Sequence, residues 1–250
     1  MTRTDFPPDR HGAPWRRRQA LLLPAALSGA VASPSAPVSA AQTEAVDLLL
    51  VLAVDASGSI DADEFRLQRE GYAEALSHPS VLAAIGSKPL GAVAVAMVEW
   101  GSPGGAATVV DWMRLSSQAA SARALAEAVL AAPRSRQSWN AIGDALDHCA
   151  LLIHAAPFHA RERVIDLSGD GPDMRSLRPA PAARDDAVAA GITVNALAVA
   201  SAGQVTRFGE PLSETYGREV VGGPGAFVVS AEDRRDIARA LRAKLVREIA

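Results

Sequence analysis

The chain has 250 residues, 49% hydrophobic and 21% charged, enough apolar side chain to bury a core and too little net charge for intrinsic disorder. A single cysteine excludes an intramolecular disulfide framework and any multi-cysteine metal centre, and five scattered histidines (His11, His78, His148, His154 and His159) offer little to a zinc enzyme. The formal charge of -3 conceals an asymmetry: residues 1–40 hold five Arg and two Asp, leaving 20 basic and 26 acidic residues beyond them, which argues against a basic nucleic-acid surface.

Arg16-Arg17-Arg18 precede an apolar stretch from Ala20 to Ala32 that is too short to span a bilayer, and Val38-Ser39-Ala40 offers a small-residue cleavage site. Residues 1–40 therefore read as a signal peptide, and the paired arginines suit twin-arginine export, although Gln19-Ala20 departs from that pattern. The expected location is the periplasm or the exterior, with no stable membrane span after cleavage.

From Val46 to Val54 the chain is almost continuously apolar, as in a central parallel strand covered on both faces. Asp61 and Glu64 have capping-box spacing, and Phe65, Tyr72 and Leu76 then recur on one side of a helix. Strands are predicted over Val93–Trp100 and Val109–Leu115. The intervening GSPGGA is too short for a helical crossover, so the pair is expected to be antiparallel. A helix over Ser117–Ala131 precedes Pro133, and another over 141–155 turns Ile142, Leu146, Cys149 and Ile153 inward, which makes Cys149 a buried hydrophobe. A strand over Arg163–Ser168, a helix over Ala180–Ala190 and a strand over Ile192–Val199 follow. Next come a short helix around Leu212–Tyr216, a strand over Ala226–Val229 and a last helix from Ser230, with Asp233 at its capping-box position. The pattern from residue 46 to 250 is one α/β domain: a doubly wound, mostly parallel sheet with one antiparallel edge strand.

Two acidic loops follow buried strands: Asp55-Ala56-Ser57-Gly58-Ser59, and Gly169-Asp170-Gly171-Pro172-Asp173. Ligands of doubly wound folds collect beyond the carboxyl ends of the strands, so Asp55 and Asp170 are expected to meet. Two facing carboxylates repel unless a cation neutralises them. Alternate residues of an extended loop point the same way, so Asp55, Ser57 and Ser59 offer one carboxylate and two hydroxyls, hard ligands suited to Mg²⁺, Mn²⁺ or Ca²⁺. The plainer alternative is that these short polar residues satisfy backbone donors in a turn.

DLLLVLAVDASGSIDADEF, VEW, RVIDLSGDGP, VGGPGAFVV and RRDIARALRAKLVREIA carry a resemblance covering Val46 to Ala250. The chain resembles a von Willebrand factor type A domain with a metal-ion-dependent adhesion site. More narrowly, it is similar to bacterial exported proteins grouped as domain of unknown function 1194. The resemblance implies a three-layer sandwich in which Asp55, Ser57 and Ser59 are primary metal ligands and Asp170 completes the acidic side through water. A threonine from a third loop normally adds an oxygen. Counting back from Gly143 to Leu146, its place falls on Asn140, whose amide carbonyl can serve as a ligand, with Ser138 as the alternative if the loop is shifted. Asn140 also suits a helix N-cap.

The function expected is a non-catalytic binding module. A weakly bound divalent cation would accept an acidic group from a protein, peptide or small ligand, with Trp100, Trp112 or Trp139 adding apolar contact. Trp139 is favoured because it precedes the helix that starts at the site. The alternatives are a Mg²⁺-dependent phosphoryl-transfer enzyme of the haloacid dehalogenase type and a metal-independent envelope structural or interaction protein. SGDGPDM resembles the metal loop of the former, but Ser57 stands where its acid–base aspartate belongs.

Overall fold

The computed structural model describes residues 43–200, 205–207, 209–231 and 236–250; the expected signal peptide and Asp233 lie outside the described residues. In chain order these form β1 (Glu44–Ala45), β2 (Leu48–Asp55), α1 (Ala62–Ser77), α2 (Pro79–Ser87), β3 (Ala92–Trp100), β4 (Ala107–Ser116) and α3 (Ala119–Ala131). There follow α4 (Ile142–His154), β5 (Phe158–His159), β6 (Glu162–Gly169), α5 (Ala180–Ala189), β7 (Thr193–Val199), α6 (Leu212–Glu219), β8 (Val228–Ala231) and α7 (Ile237–Ile249).

Six strands make one sheet in the order β4-β3-β2-β6-β7-β8, parallel throughout except for the antiparallel edge strand β4. A separate two-residue pair joins β1 to β5. β2 shows why the sheet needs two helical layers, since all eight of its residues are buried. Leu48, Leu50, Leu52 and Val54 pack in a core with residues of α1, α2, α3 and α7; Leu49, Val51 and Ala53 pack in a second core with residues of α4, α5 and α6. The alternation of period two thus sends successive side chains into different cores, and the result is a three-layer α/β sandwich. No helix among the described residues is long and apolar enough to cross a membrane.

Two details differ from the sequence expectation. Ser230 lies within β8, and the last helix begins at Ile237 rather than at Ser230. Pairing of Ala198 with Ser230 and of Val199 with Ala231 holds this segment in the sheet, overriding the local N-cap preference of serine. The unanticipated helix α2 starts with Pro79 after His78, whose Nδ1 accepts from Ser80 N at 3.2 Å. Its signals were a proline suited to the first helical position and the spacing of Val81 and Ile85. Among the tryptophans, Trp100 is fully buried and Trp112 half-buried, whereas Trp139 is 44% exposed. Cys149 is buried in the second core, and burial alone pushes its thiol well above the ordinary cysteine range.

A buried ion pair ties the first core to the loops above the sheet. Arg69 of α1 reaches Glu99 of β3 at 2.5 Å and donates to Val129 O at 2.8 Å, while the other Glu99 oxygen accepts from Ser135 N at 2.6 Å. Both side chains are almost wholly removed from solvent, so removing one strands the other. Glu99→Ala is expected to cost about 3–5 kcal/mol in urea denaturation, and adding Arg69→Met should recover much of that loss.

Candidate metal site

Asp55 occupies the last position of β2, one residue beyond the Val54–Ser168 pairing with β6. The chain runs outward from β2 to β3 in one direction and to β6 in the other, so this is a switch point where loops diverge and leave a crevice. Asp55 Oδ1 accepts from Ser57 N at 2.8 Å, and its Oδ2 accepts from Asp170 N at 3.3 Å. The Ser57 and Ser59 hydroxyls are 3.0 Å apart, and Ser59 Oγ donates to Asp170 Oδ2 at 3.1 Å. The first acidic loop and the second therefore meet as the strand order requires.

Asn140 joins this group from the loop over residues 132–141. It is buried, and a Cβ placed on Gly171 would fall 2.2 Å from Asn140 Nδ2, so the missing side chain at Gly171 is what admits the amide beside Asp170. Asn140 does not cap α4. The N-cap residue is Ala141, and the free donors Ile142 N and Gly143 N point to Asp173 Oδ1 at 2.9 and 3.4 Å, with Ser176 Oγ also accepting from Gly143 N at 3.0 Å. Ser138 sits differently: its backbone oxygen lies 3.3 Å from where a Cβ on Gly58 would stand.

Residues outside the expected ligand set hold these loops in place. Asp173 also accepts from Ala180 N at 3.2 Å, so one carboxylate joins the starts of α4 and α5. Met174 N donates to Asn140 O at 2.7 Å. Gln137 accepts from Ser102 N at 2.8 Å and donates to Gly105 O at 2.8 Å, fastening the third loop to the β3–β4 turn. Tyr216 of α6, fully buried, donates its hydroxyl to Gly171 O at 2.8 Å from behind the second loop. The only sequence signal for Asp173 was its place in GDGPD, and Tyr216 had none beyond its place on an expected helix. On the rim, Arg175 stacks its guanidinium 4.7 Å from the Trp139 ring centroid and takes a φ of 68° to do so.

The donor set is chemically uniform: two carboxylates, two hydroxyls and an amide, all hard oxygen ligands. Among the described residues, no three of His, Cys, Asp and Glu converge as a softer metal would require. Asp55 is 1% exposed, and burial first, then the charge of Asp170, push its carboxyl up to about 7 against hydrogen bonds from Ser57 and Asp170 that oppose the rise. Two acids in this condition favour a divalent cation, so the residues fit the group that the fold implies. Without metal, folded Asp55 keeps a proton that the unfolded chain releases, so this group lowers stability progressively as pH rises from about 4 to about 7. Asp55→Asn should remove that contribution. In urea denaturation with EDTA, its stability relative to the parent is expected to be more favourable at pH 7.5 than at pH 5, and an unchanged difference would count against it.

The fold is that of several solved proteins at low identity. The pilus adhesin SpaC from Lactobacillus rhamnosus GG aligns with a TM-score of 0.60 and 16% identity over 82% of this chain and 31% of its own. Proximal thread matrix protein 1 from the mussel byssus, with a zinc-occupied MIDAS motif, gives 0.60 and 14% over 81% and 48%. A von Willebrand factor type A protein from Catenulispora acidiphila gives 0.53 and 18% over 82% and 43%. The chain spans less than half the length of each of these three. No curated protein matches it. The family described as "Protein of unknown function (DUF1194)" matches residues 45–250, and the chain, a von Willebrand factor A-like α/β sandwich, belongs to that family.

Proposed function

We propose that this protein is a non-catalytic recognition module that binds an acidic group through a weakly held divalent cation. The observation that carries the reading is the convergence of Asp55, Ser57, Ser59 and Asp170 in one hydrogen-bonded cluster, with Asn140 beside Gly171, beyond the ends of two neighbouring strands. Asp55, Ser57, Ser59 and Asn140 would hold the cation, with Asp170 across from them. A bound cation supplies positive charge and a coordination position open to a carboxylate from a protein, peptide or small ligand. Mg²⁺ or Mn²⁺ suits these oxygen donors, and two carboxylates among neutral ligands make for weak affinity. The zinc-occupied MIDAS motif of the mussel protein on a similar fold supports the location. Trp139 with Arg175 would form the rim that a partner touches.

The chemistry around Asp173 weighs against phosphoryl transfer. Its oxygens are engaged by Ile142 N, Gly143 N and Ala180 N at the starts of two helices, and Ser57 stands two residues after Asp55 where such an enzyme needs its acid–base aspartate. We further propose export through residues 1–40, with the mature chain beginning near Ala41 in the periplasm or outside the cell.

Calorimetric titration of the mature chain with Mg²⁺ and Mn²⁺ should give one saturable site, lost in Asp55→Ala. Asn140→Ala is expected to weaken that binding without the roughly 1 kcal/mol penalty of a lost helix cap, because Asp173 and Ser176 serve α4. No saturable site in the parent would sink the metal reading and leave a metal-independent envelope protein. Mg²⁺-dependent hydrolysis of p-nitrophenyl phosphate that Asp55→Asn abolishes would favour the enzyme instead. Mass spectrometry of the protein from its native cell should find an N-terminus near Ala41; an intact residue 1 would refute export with cleavage.

A further inference from the structure

A second polar cluster borders the first core; its Asp166, on β6, stands four residues before Asp170 of the candidate metal site. α7 sends Lys244 and Glu248, one turn apart, toward Asp166 of β6 and Asn195 of β7, and all four residues are buried. Lys244 Nζ pairs with Asp166 Oδ1 and stands 2.7 Å from Glu248 Oε1. Asn195 Nδ2 donates to the same Glu248 oxygen at 3.0 Å, and its Oδ1 accepts from Phe227 N at 3.1 Å. Glu248 Oε2 and Asp166 Oδ2 are buried and accept no hydrogen bond, although the two carboxyls lie within reach of one another.

Two carboxylates and one ammonium enclose a net negative charge where water does not reach, an arrangement whose desolvation cost one ion pair does not offset. A proton on either acid removes the excess charge and converts facing acceptors into an O–H···O hydrogen bond. We propose that Glu248 keeps a proton in the folded protein, donating it toward the facing Asp166 carboxylate, and that its loss undocks α7, which makes attachment of this helix a pH-dependent latch.

Among the described residues, the surroundings provide no second cation to the pair. From α1, Tyr72 donates its hydroxyl to Ser168 Oγ at 2.9 Å, and burial followed by the charge of Asp166 holds that phenol well above its ordinary range. Arg69, also on α1, is committed to Glu99. α2 faces α7 with Val81 and Ile85 and contains no titratable side chain; β8 contains none, and β7 contributes only Asn195 to the cluster. The Phe227 ring lies 5.8 Å from Lys244 Nζ, Arg247 stacks on that ring, and Arg242 meets His78 at 3.2 Å. Burial and the Asp166 charge push Glu248 up to about 8, and Lys244 is raised rather than lowered by its two acids, so it stays charged. Because the docked form binds the proton more tightly than the undocked form, docking is strongest in acid, weakens as pH rises from about 4.5 to about 8 and levels off above that.

Hydrogen exchange read by mass spectrometry on the intact chain in EDTA, corrected for the intrinsic pH dependence of exchange, tests this latch. Opening of the 237–249 segment should increase up to about tenfold per pH unit between pH 5 and pH 8 and then flatten, while the β6 segment stays protected. Glu248→Gln, which keeps the shape and a donor toward Asp166, should remove the pH dependence of the 237–249 segment. Equal pH slopes in parent and variant, or simultaneous opening of β6 and α7, would overturn the proposal. If Glu248→Gln fails to fold, carboxyl ¹³C NMR of the unaltered protein decides it: a Glu248 midpoint near 8 supports the retained proton, and one below 6 refutes it.

Discussion

Asp55 stands at the end of a strand with no exposed residue, and the groups acting on its carboxyl are Asp170, Ser57 and backbone donors. A carboxylate in that position loses its hydration and gains a like-charged neighbour, so its ionised form is disfavoured until something positive arrives. Much of the upper surface is organised around that constraint. Ser57 N and Asp170 N point at its two oxygens, Ser59 bridges to Asp170, and Gly171 withholds a side chain so that the Asn140 amide can approach. The crevice is thus electrostatically incomplete as the protein alone builds it.

Three loops must agree in position for this to hold, and none is fixed by its own local conformation. Asp173 links the second loop to the starts of α4 and α5; Gln137 and the Glu99–Ser135 contact fasten the third loop to β3 and its turn. Most of these contacts join residues more than thirty positions apart through a buried or half-buried polar group, where a hydrogen bond is costly to leave unmade. Tyr216 adds support from behind through its hydrogen bond to Gly171 O. The rigidity of the site therefore depends on helices α4, α5 and α6 being docked, and it degrades with them.

The protein carries two clusters of excess negative charge, and their surroundings assign them different remedies. Asp55 and Asp170 open toward solvent through the half-buried Asp170 and the exposed Ser59, so a cation can reach them. Asp166 and Glu248 are sealed between sheet and α7, where Lys244 is the cation that the described residues bring to them. On the readings proposed above, the same electrostatic deficit would serve a ligand in one case and helix docking in the other, with access to solvent as the difference.

The sequence by itself determined the sandwich and the acidic pair. The continuous apolar run of β2, the short GSPGGA turn and the helical stripes are local patterns, and local patterns suffice to locate six strands and most of the helices along the chain. The positions of Asp55, Ser57, Ser59 and Asp170 followed from where strands end. Tertiary structure decided what local chemistry left open. Asn140 was as suitable for a cap as for the crevice, and only the arrival of Asp173 from thirty-three residues away released it from capping. Ser230 has the preference of an N-cap, yet pairing with β7 keeps it in a strand. Lys244 and Glu248, one turn apart on α7, carry no sequence mark of burial, and they are buried because the helix docks with them against Asp166. In each case the residue type permits two fates of similar local energy, and the choice belongs to a partner that the chain brings in from far along its length.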